Sequence, residues 1–228
     1  VVDIHHGLIQ HRLSVTPYVH AQYFARELNK YLDTGRIFRI VPDGATRRPA
    51  PTLAEALSAE LVANLSHANG WDRDTAQRLL VEHNSSYAVG PLKKLLTSGA
   101  NPLGRLHALW TLEGMHRLEL PTIRLALHDA DWRVRSAAIR VSEPVLGGRK
   151  RDQLLSDVMA LESDAQPNVR LQYMLTISAV GIARTDDSIA RVLKSDAHNL
   201  YIRDAALSGM RARELPFLTR LCADPAWS

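Results

Sequence analysis

The sequence predicts a mainly α chain: a right-handed α–α superhelix of two-helix repeats, preceded by a short strand–helix–strand segment. Three observations carry this expectation. A motif centred on arginine recurs five times at nearly constant spacing. An apolar segment with helical spacing precedes every copy. The composition, with 6% aromatic residues and abundant Leu, Ala and Arg, favours helix over sheet.

The motif arginines are Arg73, Arg105, Arg135, Arg170 and Arg203, separated by 32, 30, 35 and 33 residues. Such drift suits a structural repeat with loops of variable length. Four positions before each arginine stands a polar residue: Asn69, Asn101, Asp131, Gln166 or Asn199. Asn69, Asn101, Asp131 and Asn199 are strong helix N-caps, able to accept a bond from an unpaired N–H of the first turn. Pro102 and Pro167 follow the cap directly, where proline is tolerated as the first helical residue. Three positions after the arginine come Ala76, Ala108, Ala138, Tyr173 and Ala206. A small side chain there lets neighbouring helices approach, and Tyr173 departs from that rule, which suggests that the fourth unit is spaced differently.

The preceding segments are Leu61 to Leu65, Leu92 to Leu96, Ile123 to Leu127, Leu154 to Met159 and Ile189 to Leu193. Their spacings of three and four residues mark one buried helical face. Each unit therefore reads as a helix A, a loop and a capped helix B. Such a hairpin buries both apolar faces only by stacking on its neighbours. Glu119-Leu120-Pro121 with Asp129 and Trp132 also matches Glu214-Leu215-Pro216 with Asp224 and Trp227 at a constant offset of 95 residues, about three periods. On this register the last repeat is truncated at Ser228.

The pattern resembles the HEAT-repeat family over residues 54–228, most specifically in the Asp/Asn-x-x-x-Arg-x-x-Ala core of helix B. The resemblance implies that the five arginines are structural, bonding to polar groups of an adjacent unit. The rival reading is a basic ladder along the concave face.

Residues 1–41 do not follow the repeat. Val1 to Ile4 and Arg36 to Val41 read as short strands. Between them Thr16-Pro17 reads as an N-cap with proline opening an amphipathic helix, with Val19, Phe24, Leu28, Tyr31 and Leu32 on its buried side and Gly35 as its stop. Residues 42–53, with Pro42, Gly44, Arg47, Arg48, Pro49 and Pro51, read as an exposed linker to the solenoid of 54–228. The stretch from Val1 to Arg12, the Thr16-Pro17-Tyr18 triplet and the run from Gly35 to Pro42 resemble the end of a sorbosone-dehydrogenase-like β-propeller. That propeller occurs in large secreted dehydrogenase-like proteins of planctomycetes and verrucomicrobia, joined to HEAT repeats and often to a c-type cytochrome domain. The segments from Asn69 to Glu82 and from Arg105 to Gly114 resemble their first repeats. The resemblance implies a periplasmic or secreted protein whose parent is a quinone- or haem-linked dehydrogenase. The haem motif Cys-x-x-Cys-His is absent from these residues, and no cofactor is expected in this segment.

The formal charge of +4 permits contact with nucleic acid or an acidic protein and decides between neither. The single cysteine, Cys222, excludes an intrachain disulfide and any multi-cysteine metal motif. No apolar run approaches the ~20 residues that span a bilayer, and the first residues lack the pattern of a signal peptide.

Four features carry candidate chemistry. His5, His6 and His11, with His20 and Asp3, offer imidazole and carboxylate groups for a metal, although their spacing matches no defined motif. Trp71, Trp110 and Trp132 lie near arginines, a combination that stacks bases in nucleic-acid-binding proteins and otherwise packs against the preceding loop. Gly147-Gly148-Arg149-Lys150-Arg151 is a basic loop without the strand that a phosphate loop needs. His107 and Glu113 are six residues apart and face different ways. The expected function is a non-catalytic interaction scaffold binding protein or neighbouring domains of the same polypeptide. The alternative is a basic nucleic-acid binder or DNA glycosylase of similar architecture.

Overall fold

The computed structural model describes residues 2–3, 14–30, 34–38, 40–44, 52–196 and 198–227. The chain divides into two compact units, Val1–Ala50 and Pro51–Ser228.

In the first unit, strand β1 (Val2–Asp3) comes first, helix α1 (Pro17–Ala25) follows, and β2 (Arg36–Ile37) closes an antiparallel ladder with Val2 opposite Ile37 and Asp3 opposite Arg36. The hydroxyl oxygen of Thr16 accepts from the Val19 N–H at 3.4 Å, and Pro17 occupies the first turn. Two expectations for this helix need correction. None of its residues is buried, and Phe24 is 56% exposed; Tyr31 and Leu32 lie outside the described residues. Gly35 is not the stop. The chain turns out of the helix at Glu27, which adopts a left-handed φ of 56°, and continues into a 3₁₀ turn over Leu28–Lys30. The second strand is also shorter than expected, ending at Ile37, with Ile40 and Val41 exposed.

The second unit is a stack of helical hairpins. Leu53 opens it, buried in a 3₁₀ turn. The hairpins are α2 (Ser58–Asn64) with α3 (Gly70–His83), α4 (Ser86–Ser98) with α5 (Pro102–Gly114), and α6 (Leu120–Leu127) with α7 (Trp132–Val141). A short α8 (Glu143–Leu146) intervenes before α9 (Leu155–Met159) and α10 (Pro167–Ile177). Then come α11 (Ala183–Asp196) with α12 (Leu200–Ser208), and finally α13 (Glu214–Ala223).

The B helices α3, α5, α7, α10 and α12 pack each on the next, and the A helices α2, α4, α6 and α9 form a parallel row. Ala76, Ala108, Ala138 and Ala206 are buried where consecutive B helices meet, because a methyl group keeps the axes close. Tyr173 takes the corresponding place on α10. Its ring is wholly buried and its hydroxyl lies 2.5 Å from the Ser188 hydroxyl on α11. Ser188 donates to Glu162 at 2.7 Å, and the Arg191 guanidinium grips both oxygens of the same carboxylate at 2.6 and 2.8 Å. A polar relay into the next A helix thus replaces a methyl contact, and burial pushes the Tyr173 phenol up to about 12.

Candidate functional site

The N-terminal ends of the B helices are built alike. The side-chain oxygens of Asn69, Asn101, Asp131 and Asn199 accept from the N–H two residues on, at 3.2, 2.9, 2.9 and 3.0 Å. Gln166 makes no such side-chain bond; its own N–H instead donates to Asp164 at 2.8 Å. Asn101 also reaches back across the repeat boundary, donating to the Ser66 carbonyl at 3.0 Å.

From four of these ends, those of α3, α5, α7 and α10, an arginine projects into the joint between units. Arg105 donates from two nitrogens to Asp129 at 2.7 and 2.8 Å, Arg135 to Asp164 at 2.7 and 2.9 Å, and Arg170 to Asp196 at 2.9 and 2.9 Å. The remaining guanidinium nitrogen turns back to carbonyls of the loop that precedes its own helix: Gly99 for Arg105, Asp129 for Arg135, Asp164 for Arg170. Asp129 and Asp164 therefore serve two arginines each, one through the carboxylate and one through the backbone. The Arg170 bonds hold Asp196 below the usual carboxylate range; for Asp164, burial opposes, and bonds from Arg135 and the Gln166 N–H prevail. Asp131, bonded by Arg133, falls to about 2.

Arg73 makes the same backbone contacts, to His67 and Ala68, and meets a different partner. Its Nε donates to His107 Nε2 at 3.3 Å, while His107 Nδ1 lies 2.6 Å from the Gln77 side-chain amide oxygen Oε1. Burial, then the neighbouring Arg73 charge, lowers the His107 pKa, consistent with a neutral ring carrying its proton on Nδ1. His107 thus belongs to the repeat joint and has no bond with Glu113 among the described residues. Arg203 is exposed on α12, beside an apolar groove of about 320 Å³ that includes Phe217, Leu221 and Trp227.

Toward the other ends of the B helices lies an open cleft of about 750 Å³. α7 supplies Arg140; α10 supplies Gln172, Leu175 and Thr176; and Ser208, Gly209 and Arg211 come from the end of α12 and the turn after it. Its wall is the insertion that makes the third arginine spacing the longest, represented by Glu143, Leu146, Gly147, Gly148 and Arg151. Glu143 is committed: it pairs with Arg140 and accepts from the Thr176 hydroxyl at 2.8 Å. Gln172 donates to Thr176 at 3.1 Å. Among the described residues, the lining offers hydrogen-bonding groups from Arg140, Arg151, Gln172, Ser208 and Arg211 and apolar surface from Leu146, Leu175 and Val180.

His5, His6 and His11 lie outside the described residues. Among the described residues no group of His, Cys, Asp and Glu is arranged to hold a metal, and no helix is long and apolar enough to cross a membrane. Trp71 is 59% exposed, whereas Trp110 and Trp132 pack against the core. Sequence reasoning missed the aspartate partners and the cleft. A signal for the first existed, an aspartate six residues before Arg135 and Arg170. For the second the signals were the 35-residue spacing and the basic loop that fills it.

No protein-family model matches the chain, and no curated protein matches it. Among solved structures, the chain is similar to a designed armadillo repeat protein in complex with the peptide (KR)4, at 18% identity and a TM-score of 0.47, covering 75% of this chain and 93% of that one.

Proposed function

We propose that the chain is a non-catalytic interaction scaffold that binds another polypeptide segment along its B-helix face. The observation that carries this reading is the cleft, to which three successive B-helix regions and the inserted loop contribute polar and apolar groups together. A stack of repeats presents such a surface without spending its core on it. A photo-crosslinking residue placed at Ser208, inside the cleft, tests the reading against one at Tyr87, which is exposed on an A helix. Adducts to a discrete polypeptide at Ser208 alone are expected in cells that make the protein. Equal labelling from both positions, or none, sinks the proposal.

The finer proposal, that this scaffold belongs to a larger extracytoplasmic dehydrogenase-like protein, is supported by the resemblance of Val1 to Pro42 to a propeller end. The complete reading frame tests it, since a propeller upstream is required. The nucleic-acid alternative drew on the repeat arginines as a basic ladder. The commitment of Arg105, Arg135 and Arg170 to carboxylates counts against it, because a paired guanidinium has little left for phosphate.

A further inference from the structure

We propose that the cleft between α7, α10 and α12 takes an acidic peptide segment in extended conformation, a proposal that rests on the scaffold reading above. The residues lining the cleft include Arg140, Arg151 and Arg211 against Glu143 alone, with Arg149, Lys150 and Asp152 next to Arg151 in sequence. The lining alone thus carries an excess of two positive charges in a chain whose formal total is +4. The two carboxylates are occupied within the cluster, Glu143 by Arg140 and Thr176, and Asp152 by Arg151 at 3.0 Å. The side chain of Arg211 makes no hydrogen bond or ion pair to any described residue, although it lines the cleft.

A blander account is that cations near helix C-termini complement the helix dipole. It covers Arg140, in the last turn of α7. It does not cover Arg149, Lys150 and Arg151, which follow α8 on a loop and are exposed or half-exposed. A carboxylate arriving at Arg211 meets guanidinium donors whose competing bond is solvent, the condition under which charge-assisted hydrogen bonds add affinity; at Arg151 it competes with the exposed Asp152.

The shape selects among anions. Three packed helices at about 8–10 Å between axes span roughly 20 Å, which an extended chain covers in about six residues at ~3.3 Å each. The Gln172 amide and the Ser208 hydroxyl offer bonds to a peptide backbone, and Leu175, 41% exposed, with Val180 offers an apolar seat for one aliphatic side chain. Single-stranded nucleic acid would want aromatic platforms for its bases, and no Trp, Tyr, Phe or His is among the described cleft residues.

The probe is a fluorescein-labelled hexapeptide, Glu-Asp-Glu-Leu-Asp-Glu, titrated with the 228-residue chain at low salt and followed by anisotropy. A lysine hexapeptide and a ten-nucleotide thymidine oligomer serve as comparisons. Saturable binding of the acidic peptide is expected, weakening as salt rises. Arg211→Glu and Arg151→Glu should each weaken it about tenfold, while Arg78→Glu, exposed on α3 away from the cleft, leaves it unchanged. Circular dichroism establishes that each variant is folded. Three results overturn the proposal: no binding of the acidic peptide at low salt, binding indifferent to both cleft reversals, or displacement of the peptide by the oligonucleotide at lower concentration. If the peptide fails while Ser208 still crosslinks to a polypeptide, the acidic class is wrong and the scaffold reading stands. If both fail, both fall.

Discussion

Arg135 and Asp164, 29 residues apart in sequence, meet through two parallel N–H···O bonds of 2.7 and 2.9 Å at the joint between two repeats. The aspartate side chain is 6% exposed and the arginine 16%, so the pair is largely removed from water. Removing one partner strands the other. Asp164→Ala is expected to cost about 2–4 kcal/mol, most of it the penalty of an unpaired guanidinium. Arg135→Lys, which keeps the charge and loses the fork, should cost about 1–2 kcal/mol. Urea unfolding of both variants and of a double variant with Arg135→Met measures this. The double variant should recover part of the loss, and a single-variant cost under about 0.5 kcal/mol would show the pair to be ornamental.

Tyr173 is the one bulky residue in a row otherwise made of alanine. Tyr173→Phe keeps the buried ring and deletes the bond to Ser188, which still donates to Glu162. A loss of about 1–2 kcal/mol is expected, with the unfolding slope unchanged. Tyr173→Ala, though it restores the residue of the other repeats, should cost about 3–5 kcal/mol, because α10 would face a cavity. Thermal unfolding separates the two; an alanine variant as stable as the phenylalanine variant would mean the site collapses freely.

The arginine-centred helices were readable because each cap, first turn and arginine lies within a few residues, where local chemistry dictates structure. The carboxylates that complete the joints sit 24, 29 and 26 residues downstream of Arg105, Arg135 and Arg170, at spacings that change with every loop. An aspartate six residues before Arg135 and Arg170 marks two of the acceptors, but nothing local says that each meets the arginine of the preceding repeat. The backbone half of each joint is blind to side-chain identity: His67, Gly99, Asp129 and Asp164 all present a carbonyl six residues before the arginine. The cleft was hidden for a related reason. Gly147 to Arg151 reads as a solvated loop until Gln172 and Arg211, from later elements, are set across from it. In the first unit, Glu27 rather than a glycine takes the left-handed turn, so the helix stop left no mark in the sequence.

Two glycines allow close contacts that differ in how far their neighbours can give way. A Cβ on Gly104 would lie 2.2 Å from the Ser66 hydroxyl oxygen, the end of a side chain that can rotate. On Gly209 it would meet the Ser178 hydroxyl at 2.1 Å and also the Ala179 backbone nitrogen at 2.7 Å. Backbone cannot swing aside. Gly209→Ala is therefore expected to cost about 2–3 kcal/mol and Gly104→Ala about 1 kcal/mol. Denaturant midpoints of the two variants give the order, and the reverse order would refute this account of the packing.

Acid should weaken the fold in two separate windows. His107 has a folded-state pKa below the ordinary value of about 6.5, from burial first and then from Arg73. As pH falls past about 6.5 the unfolded chain takes up the proton before the folded chain does. The His107 contribution is thus complete above that pH and declines as pH falls toward the lowered value. Arg133 holds Asp131 at about 2, and Asp196 and Glu162, bonded chiefly by Arg170 and Arg191, also lie below their usual range. Burial pulls Asp164 the other way, but its bonds from Arg135 and the Gln166 N–H leave it lowered too. These carboxylates stabilise fully above about pH 4 and lose their contribution as pH falls through the folded values. Urea midpoints should therefore show a shallow decline as pH falls below about 6.5, no steeper than ~1.4 kcal/mol per unit for a single proton, and a steeper one below about pH 4. His107→Gln retains a polar group opposite Arg73 and should flatten the upper window alone. An unchanged upper slope in that variant would assign the proton to a different group.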